Sequence, residues 1–377
     1  MTDPTPDNPA RPDPPAARSS AKSAAATDRG NGRAVLVLAF GGPEGPEDVL
    51  PFLRNVTTGR GVPDERLAEV AEQYQLFGGR SPLNDQMRAL VAALGPALHE
   101  RGIPLPVYWG NRNWRPHLAD TVAAMAADGI TEAAVFATSA YGSYSGCRQY
   151  RDDLAAARDA VGPGAPALHK LRLFYNHPGF VDPMADALRV GFGAEPGTRG
   201  PVTLERGTRL VASAHSIPTA MATGCDYPRQ LAETTRLVVE RAELVDADGR
   251  AAPADLVFQS RSGPPAVPWL EPDINDHLRV LADQGVDRVV NLPVGFISDH
   301  MEVVFDLDTQ AARNAAGLGL KWSRVPTVGT DPRFVAMIAD LVAERFLDAP
   351  RLAVGRDGPW PDECPADHCP APVRRPR

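Results

Sequence analysis

The sequence of 377 residues lacks the long apolar run of a membrane span, since no hydrophobic stretch approaches about 18 residues. No short apolar core follows the charged N-terminus, which argues against a secretory signal peptide. Positive charge is also in short supply, because the formal net charge is −8 at pH 7. Nucleic-acid binding needs concentrated Lys and Arg opposite the phosphates. We therefore expect a cytoplasmic protein that binds no nucleic acid and does not insert stably into membranes.

Cysteine is scarce as well, with four in the whole chain. In a chain without export signals, cysteines more often bind metal than form disulfides.

Two common nucleotide-binding motifs are missing: no G-x-G-x-x-G follows a predicted strand, and G-x-x-x-x-G-K-[ST] does not occur. The sequence therefore lacks the usual signatures of dinucleotide and nucleoside-triphosphate binding.

The two ends of the chain differ in composition from the middle. Six prolines fall within the first fifteen residues, and a Ser/Ala-rich stretch follows as far as Asp28. Such a composition buries too little apolar surface to offset its chain entropy, so we predict a disordered tail over residues 1–32. Residues 348–377 are again Pro-rich and aperiodic, yet they include Cys364 and Cys369.

The middle of the chain alternates between strand-like and helix-like patterns. Short apolar, β-branched runs predict strands at 33–39, 105–109, 132–138, 170–175, 209–214, 255–260, 288–293 and 320–325. Helical periodicity occupies 84–101, 116–128, 227–245 and 331–346. This alternation predicts an α/β fold with two doubly wound halves, each a four-stranded parallel sheet flanked by helices. Because the segment lengths are irregular, we favour this arrangement over a single (β/α)8 barrel, which remains the alternative.

The predicted domains follow from this alternation. The first half covers residues 33–175 and the second covers residues 176–330. The helix at 331–347 can pack back on the first half, and the tail follows at 348–377.

The segment from 288 to 306 is the most informative part of the chain. A buried-looking strand ends at Pro293, and a helix begins that carries Glu302 and Asp306 four residues apart, on one face. His215 follows another predicted strand. Ligands of open parallel sheets bind beyond the carboxyl ends of the strands, so these side chains should line one cleft. Together with neighbouring Arg, Tyr and Trp, the cleft suits a flat aromatic ligand that bears carboxylates.

Six segments carry a resemblance to a known family. They are Ala39-Phe-Gly-Gly-Pro-Glu44, Gly78-Gly-Arg-Ser-Pro-Leu83, Asn111-Arg-Asn-Trp-Arg-Pro116, Ser213-Ala-His-Ser-Ile-Pro218, Gln259-Ser-Arg-Ser-Gly-Pro264 with Pro268-Trp-Leu-Glu-Pro-Asp273, and Gly295-Phe-Ile-Ser-Asp-His-Met-Glu-Val-Val-Phe-Asp306. In this order and at this spacing they resemble the ferrochelatases, which insert Fe(II) into porphyrins. The resemblance implies the chelatase fold, two Rossmann-like halves that hold the porphyrin between them.

The resemblance also implies roles for three residues. His215 and Glu302 match the catalytic pair on opposite faces of the macrocycle, where they would also meet the substrate Fe2+. Insertion requires two pyrrole N–H protons to leave, so a base must lie over the nitrogens. Imidazole changes charge near neutral pH and ligates iron, which suits His215 to either role. Asp306 would relay protons from Glu302.

Further residues are expected to contact the porphyrin. Arg60, Ser81, Ser143 and Tyr144 are candidates for binding propionates, since guanidinium and hydroxyl groups suit carboxylates. Several bacterial relatives have Tyr where this chain has Phe40. We therefore expect Phe40 to stack on the macrocycle or to pack beside it.

The cysteines form a second group. Actinobacterial-type ferrochelatases are similar in having a mid-chain loop cysteine and a Cys-rich tail that hold a [2Fe–2S] cluster. The corresponding ligands here are Cys147, Cys364 and Cys369. A fourth ligand is required, and imidazole can replace thiolate. We favour His368 because it adjoins Cys369, and Cys225 is the competing candidate.

The resulting hypothesis is an enzyme of haem biosynthesis that converts coproporphyrin III to Fe-coproporphyrin (coprohaem). One alternative is insertion into protoporphyrin IX, giving protohaem. The other is a non-catalytic haem or porphyrin carrier, which the presence of both His215 and Glu302 argues against. The expected partners are the porphyrin, an unidentified iron donor and the haem-pathway enzyme that receives the product.

Overall fold

The computed structural model describes residues 32–59, 61–365 and 367–371. These residues contain the following strands: β1 Arg33–Ala39, β2 Val107–Asn111, β3 Glu132–Ala137, β4 Ala167–Lys170, β5 Val202–Thr203, β6 Thr208–His215, β7 Leu244–Val245, β8 Ala254–Gln259, β9 Arg288–Leu292 and β10 Lys321–Arg324. The predicted tail at 1–32 lies outside the described residues except for Gly32.

The described residues also contain the following α-helices: α1 Pro46–Val56, α2 Asp64–Gln75, α3 Leu83–Glu100, α4 Leu118–Ala127, α5 Gln149–Val161, α6 Pro178–Gly191, α7 Thr219–Ala222, α8 Tyr227–Arg241, α9 Ile274–Asp283, α10 Met301–Phe305, α11 Ala312–Gly317 and α12 Pro332–Leu347. Two short π-helical segments, Tyr144–Arg148 and Asp306–Ala311, precede α5 and α11. None of these helices is long and apolar enough to cross a membrane.

Eight of the strands form two parallel sheets with the same topology. The orders are β2-β1-β3-β4 and β10-β9-β6-β8, and every neighbouring pair is parallel. In each sheet the first strand lies between the second and the third. The predicted fold class of two four-stranded parallel sheets flanked by helices is therefore confirmed. The topological switch points, where ligands of such sheets bind, lie between β1 and β3 and between β6 and β9.

The strands are apolar because both faces of each sheet are covered. Every residue of β1 after Arg33 is buried, as expected for a central strand of a parallel sheet. One face of β1 packs on α4 and α5 through Leu36 and Leu38. The opposite face joins a core that continues to Leu210 in β6 of the other sheet. A single apolar core thus connects the two sheets, and α12 packs into it against α3 and α6. The division into domains stays a prediction.

One predicted strand is wrong. The run at 170–175 was expected to pair in the sheet, but β4 ends at Lys170. Leu171, Leu173, Phe174 and Tyr175 are nevertheless buried, because the chain leaves the sheet edge and enters the core beside α6 and α12. Burial without strand pairing gives the same apolar pattern as a buried strand, so the two are not separable by periodicity.

The described part of the C-terminal tail forms no helix or strand, yet it is attached to the body. The guanidinium of Arg172 is buried, donates to both oxygens of Glu344 at 2.7 and 2.8 Å, and donates to the Leu352 carbonyl at 2.8 Å. Asn176 donates to the Gly358 carbonyl at 2.7 Å and accepts from the Val354 amide at 2.8 Å. These contacts hold the tail along the segment that follows β4.

Candidate active site

The end of β6 and the loop after β9 come together at the switch point between these two strands. β6 ends at His215, and the chain after β9 passes Gly295 before α10 begins at Met301. A Cβ on Gly295 would lie 2.6 Å from the Ala214 Cβ, closer than atoms pack. Glycine at 295 therefore lets the loop lie directly on β6. This close approach brings Glu302 opposite His215.

His215 and Glu302 face each other as an ion pair. The His215 Nε2 lies 3.5 Å from the Glu302 Oε1. The other ring nitrogen, Nδ1, bonds to the Ser216 carbonyl, which can only accept, so Nδ1 carries a proton. The Tyr227 hydroxyl donates to the His215 carbonyl at 2.9 Å and fixes the end of the strand. A carboxylate facing Nε2 favours a second proton on the ring, which is the imidazolium form.

The first turn of α10 holds Glu302 in place. His300 precedes the helix, and its Nδ1 accepts from the Glu302 backbone amide at 3.2 Å. The Gln259 side chain donates to the Glu302 carbonyl at 2.9 Å. Burial lowers the pKa of His300, which keeps its Nδ1 available as the acceptor. His300 thus supports the turn, and the Glu302 carboxylate projects into the cleft with 49 % of its side chain exposed.

Asp306 begins the π-helical segment one turn beyond Glu302. The Ser260 hydroxyl donates a hydrogen bond to its Oδ2. Ser260 follows β8, so the ends of β6, β8 and β9 all contribute to this site. The predicted neighbours His215, Glu302 and Asp306 are therefore brought together in one place.

The electrostatics of the three groups differ. Burial alone would lower the pKa of His215, but the charge of Glu302 and the bond to it raise the pKa to about 9. Burial favours a neutral Glu302, yet His215 lowers the pKa of that carboxyl to about 2. Burial raises the pKa of Asp306 to about 6. At neutral pH the site therefore holds a charged pair beside a carboxyl group that titrates close to the working range.

An aromatic cluster adjoins the acidic site, and it contains the predicted Phe40 as well as Tyr74, which was not predicted. Phe52 contacts Phe40, Tyr74 and Trp114 edge to face, at centroid distances of 6.2, 6.2 and 6.0 Å. Burial and the charge of Glu302 raise the pKa of Tyr74. Tyr74 lies on α2, whose pattern in the sequence is that of an ordinary amphipathic helix. No signal marked it as part of the site.

The predicted porphyrin contacts lie in different settings. Phe40, at the end of β1, is 39 % exposed. Ser81 and Ser143 are buried, and their hydroxyls accept from the backbone amides of Leu83 at 3.3 Å and Gly146 at 2.9 Å. Tyr144 is half-buried at the start of the first π-helical segment. Arg60 lies outside the described residues. The proposed propionate contacts stay predictions.

The four cysteines converge on the tail. All are free thiols. Cys364 lowers the pKa of the Cys147 thiol and Cys369 lowers that of Cys225, so the four thiols lie in two adjacent pairs. The backbone agrees with the second pair, since the Cys369 amide donates to the Gly224 carbonyl at 3.1 Å. Cys147, Cys364 and Cys369 line one small cavity together with His368.

His368 has a different partner. Its Nε2 lies 3.0 Å from the Asp226 Oδ2, and its Nδ1 lies 3.0 Å from the Cys369 sulfur.

The bond from Cys364, aided by the positive charge of Lys170, lowers the pKa of Cys147 to about 5. Thiolate is the form that binds iron. Within the described ranges, no three His, Cys, Asp or Glu side chains stand close enough to hold a metal ion without moving.

Comparison with known proteins agrees with the site. The family model described as ferrochelatase matches residues 32–346. The chain is similar to a coproporphyrin III ferrochelatase of Frankia alni, 54% identical over 350 residues that cover 91% of this chain and 87% of the relative. A coproporphyrin III ferrochelatase of Nocardia farcinica is 52% identical, covering 91% of this chain and 97% of the relative. A ferrochelatase of Rhodopirellula baltica is 48% identical, covering 90% and 94%. The chain belongs to the ferrochelatase family.

Proposed function

We propose that this enzyme inserts Fe(II) into coproporphyrin III and releases Fe-coproporphyrin and two protons. The observation that carries the proposal is the contact of 3.5 Å between His215 and Glu302 at the switch point between β6 and β9. The relatives from Frankia alni and Nocardia farcinica, both named for coproporphyrin III, support the choice of substrate. Product would pass to a haem-pathway enzyme. The iron donor and the cytoplasmic location stay predictions.

The pair can act as a proton acceptor when the macrocycle enters. A porphyrin between the two side chains separates the imidazolium from the carboxylate that stabilises it. Without that attraction, the pKa of His215 falls from about 9 towards its ordinary value. The ring then releases its proton to water and gains a free Nε2 that can accept one from a pyrrole N–H.

The opposite side of the site provides a route for the second proton. Separation from His215 raises the pKa of Glu302 from about 2, so the carboxylate becomes a better base. Asp306 lies one turn along, with a pKa of about 6, and can receive that proton and pass it to water. Fe(II) enters as substrate while the protons leave.

A non-catalytic carrier is the second candidate. A carrier needs contacts to the propionates and the flat ring but no acid–base pair. Two charged groups held against each other beside a carboxyl of raised pKa form an arrangement that transfers protons. The site therefore supports an enzyme more strongly than a carrier.

The experiment is anaerobic Fe(II) insertion with coproporphyrin III and protoporphyrin IX side by side. We expect coproporphyrin III to be metalated far faster, because its four propionates can use hydroxyl and guanidinium partners at both ends of the cleft. Equal or reversed preference would favour the protoporphyrin alternative. Binding of either porphyrin without iron insertion would favour the carrier.

We also propose that the cysteines hold a [2Fe–2S] cluster. Four thiols in two adjacent pairs supply the four donors that such a cluster needs. The contacts support Cys147, Cys225, Cys364 and Cys369 as ligands. The fourth ligand is then Cys225, whereas the sequence alone favours His368. Cys225 adjoins Cys369, and His368, which lines the same cavity, is bound to Asp226 and would orient Cys369 through its other ring nitrogen. When bound, the cluster would supply a redox-active centre, and its ligands would join the tail to the body.

A further inference from the structure

Two consecutive residues at the end of β8 contact every part of the acid–base site. The Gln259 carbonyl accepts from the Ser216 amide at 2.8 Å, next to His215. Its side-chain amide donates to the Glu302 carbonyl at 2.9 Å. The hydroxyl of the next residue, Ser260, donates to the Asp306 carboxylate. These two neighbours are thus bonded to all three segments of the site.

The backbone of Ser260 is strained to make this contact. Its φ is +60°, in the left-handed region that side chains other than Gly, Asn and Asp seldom occupy. Such strain costs of order 1–3 kcal/mol and persists where the surrounding structure requires it. Glycine would avoid the strain but would remove the hydroxyl. Serine at this position therefore lowers the stability of the fold but provides a hydroxyl that donates to Asp306.

The side chain of Gln259 is incompletely satisfied. The residue is 1 % exposed, and its Oε1 has no hydrogen-bond partner among the described residues. The Gln259 side chain also bonds to Asp306 and lowers the pKa of that carboxyl, so a Gln259 amide N–H donates to the carboxylate. A buried acceptor without a donor is costly. The side chain keeps this orientation despite that cost, because its amide N–H groups donate to the Glu302 carbonyl and to Asp306.

We propose that Ser260 and Gln259 are positioning residues for proton transfer through Asp306. This inference rests on the proposed function. Both side chains donate to the ionised carboxylate of Asp306. Together they hold the Asp306 carboxylate in one orientation, ready to receive a proton, at a fixed place relative to Glu302. The proton taken up by Asp306 is the one released from the porphyrin, and it leaves to water.

The test compares variants that remove the hydroxyl. Ser260→Ala keeps the strained backbone, and Ser260→Gly relaxes it, so the pair separates hydroxyl loss from misfolding. Ser323→Ala is the matched control, because the Ser323 hydroxyl lies in β10 of the same sheet without a hydrogen-bond partner among the described residues. We would measure the pH profile of kcat for Fe(II) insertion over about pH 5 to 9. The carboxyl carbon of Asp306 would be titrated by NMR in the same variants.

The loss of the Ser260 hydroxyl determines the direction in which the pKa of Asp306 should change. A hydrogen bond to the carboxylate favours its ionised form, so losing it raises the pKa of Asp306 above about 6. As the pH is lowered, activity that needs the ionised Asp306 carboxylate therefore begins to fall at a higher pH than in the wild type. We expect the acidic limb and the NMR titration to move up by about one pH unit, a tenfold change, in both Ser260 variants. The KM for porphyrin and the control should not change.

Two results separate this inference from the proposed function. An unchanged acidic limb and an unchanged Asp306 titration in both Ser260 variants would overturn the positioning role, although the wild type still inserts iron. A wild type that inserts iron into neither porphyrin would overturn the proposed function. The NMR titration would still test the role of Ser260 in that case, since it requires no turnover.

Discussion

The strand-end site and the cysteine site are built in opposite ways. His215, Glu302 and Asp306 follow strands of one sheet, so the sheet itself fixes their separation. The cysteine site depends on the tail for Cys364 and Cys369, which lie in a segment without regular structure. Isolated hydrogen bonds, not strand pairing, attach that segment to the body. The acid–base site is therefore a property of the fold, whereas the cysteine site is a property of the docked tail.

The largest effect is expected at the strand-end site. His215→Ala and Glu302→Gln should each lower kcat for Fe(II) insertion by about 10²- to 10⁴-fold, the range for lost acid–base catalysis. Glu240→Gln is the matched control, because Glu240 is an exposed helical carboxylate paired only with Arg236 among the described side chains. Porphyrin binding, followed by fluorescence quenching, should be nearly unchanged. Turnover close to wild type in both variants would contradict the assignment.

The cysteine site should respond to different substitutions. Cys225→Ser should remove the visible absorption of anaerobically purified protein, because it deletes one of four thiolate ligands. His368→Ala should keep most of that absorption, since its ring is bound to Asp226. The reverse pattern would restore His368 as the fourth ligand. Iron-replete wild-type protein without colour would contradict the cluster.

The sequence predicted the first site better than the second for a physical reason. Strands alternate with helices in a pattern that local periodicity records, so seven of the eight predicted strands and the meeting of His215 with Glu302 were predictable. Tyr74 was missed because it approaches Glu302 from α2. The contact of Cys225 with Cys369 spans 144 residues and depends on tail docking, which no local pattern encodes.

The attachment of the tail tests whether the acid–base site is independent of the cysteine site. Arg172→Met leaves Glu344 buried without its partner, which typically costs about 3–5 kcal/mol. The guanidinium also holds the Leu352 carbonyl, so the tail should loosen. Urea unfolding should show the loss of stability, and visible absorption should fall. Iron insertion per folded molecule should change little, because no catalytic residue contacts Arg172.

The double change Arg172→Met with Glu344→Leu serves as its control. Removing both charges relieves the unpaired carboxylate, so this variant should be more stable than Arg172→Met alone. Equal stability of the two would mean that the pair itself contributes little. Loss of iron insertion in step with loss of colour would show that the two sites are not separable.

The smallest effect on stability is expected at the start of α8, where the acid–base site and the cysteine site meet. Cys225 and Tyr227 are two residues apart at the start of α8, and the Tyr227 hydroxyl donates to the His215 carbonyl. Tyr227→Phe deletes one neutral hydrogen bond, worth about 1 kcal/mol. The free energy of unfolding would be measured for Tyr227→Phe, Cys225→Ser and the double variant. Since both side chains hold the same helix start, we expect a coupling of about 0.5 kcal/mol or more. Additive effects would mean that α8 transmits nothing between the sites, and that the acid–base site is insensitive to the state of the cysteines.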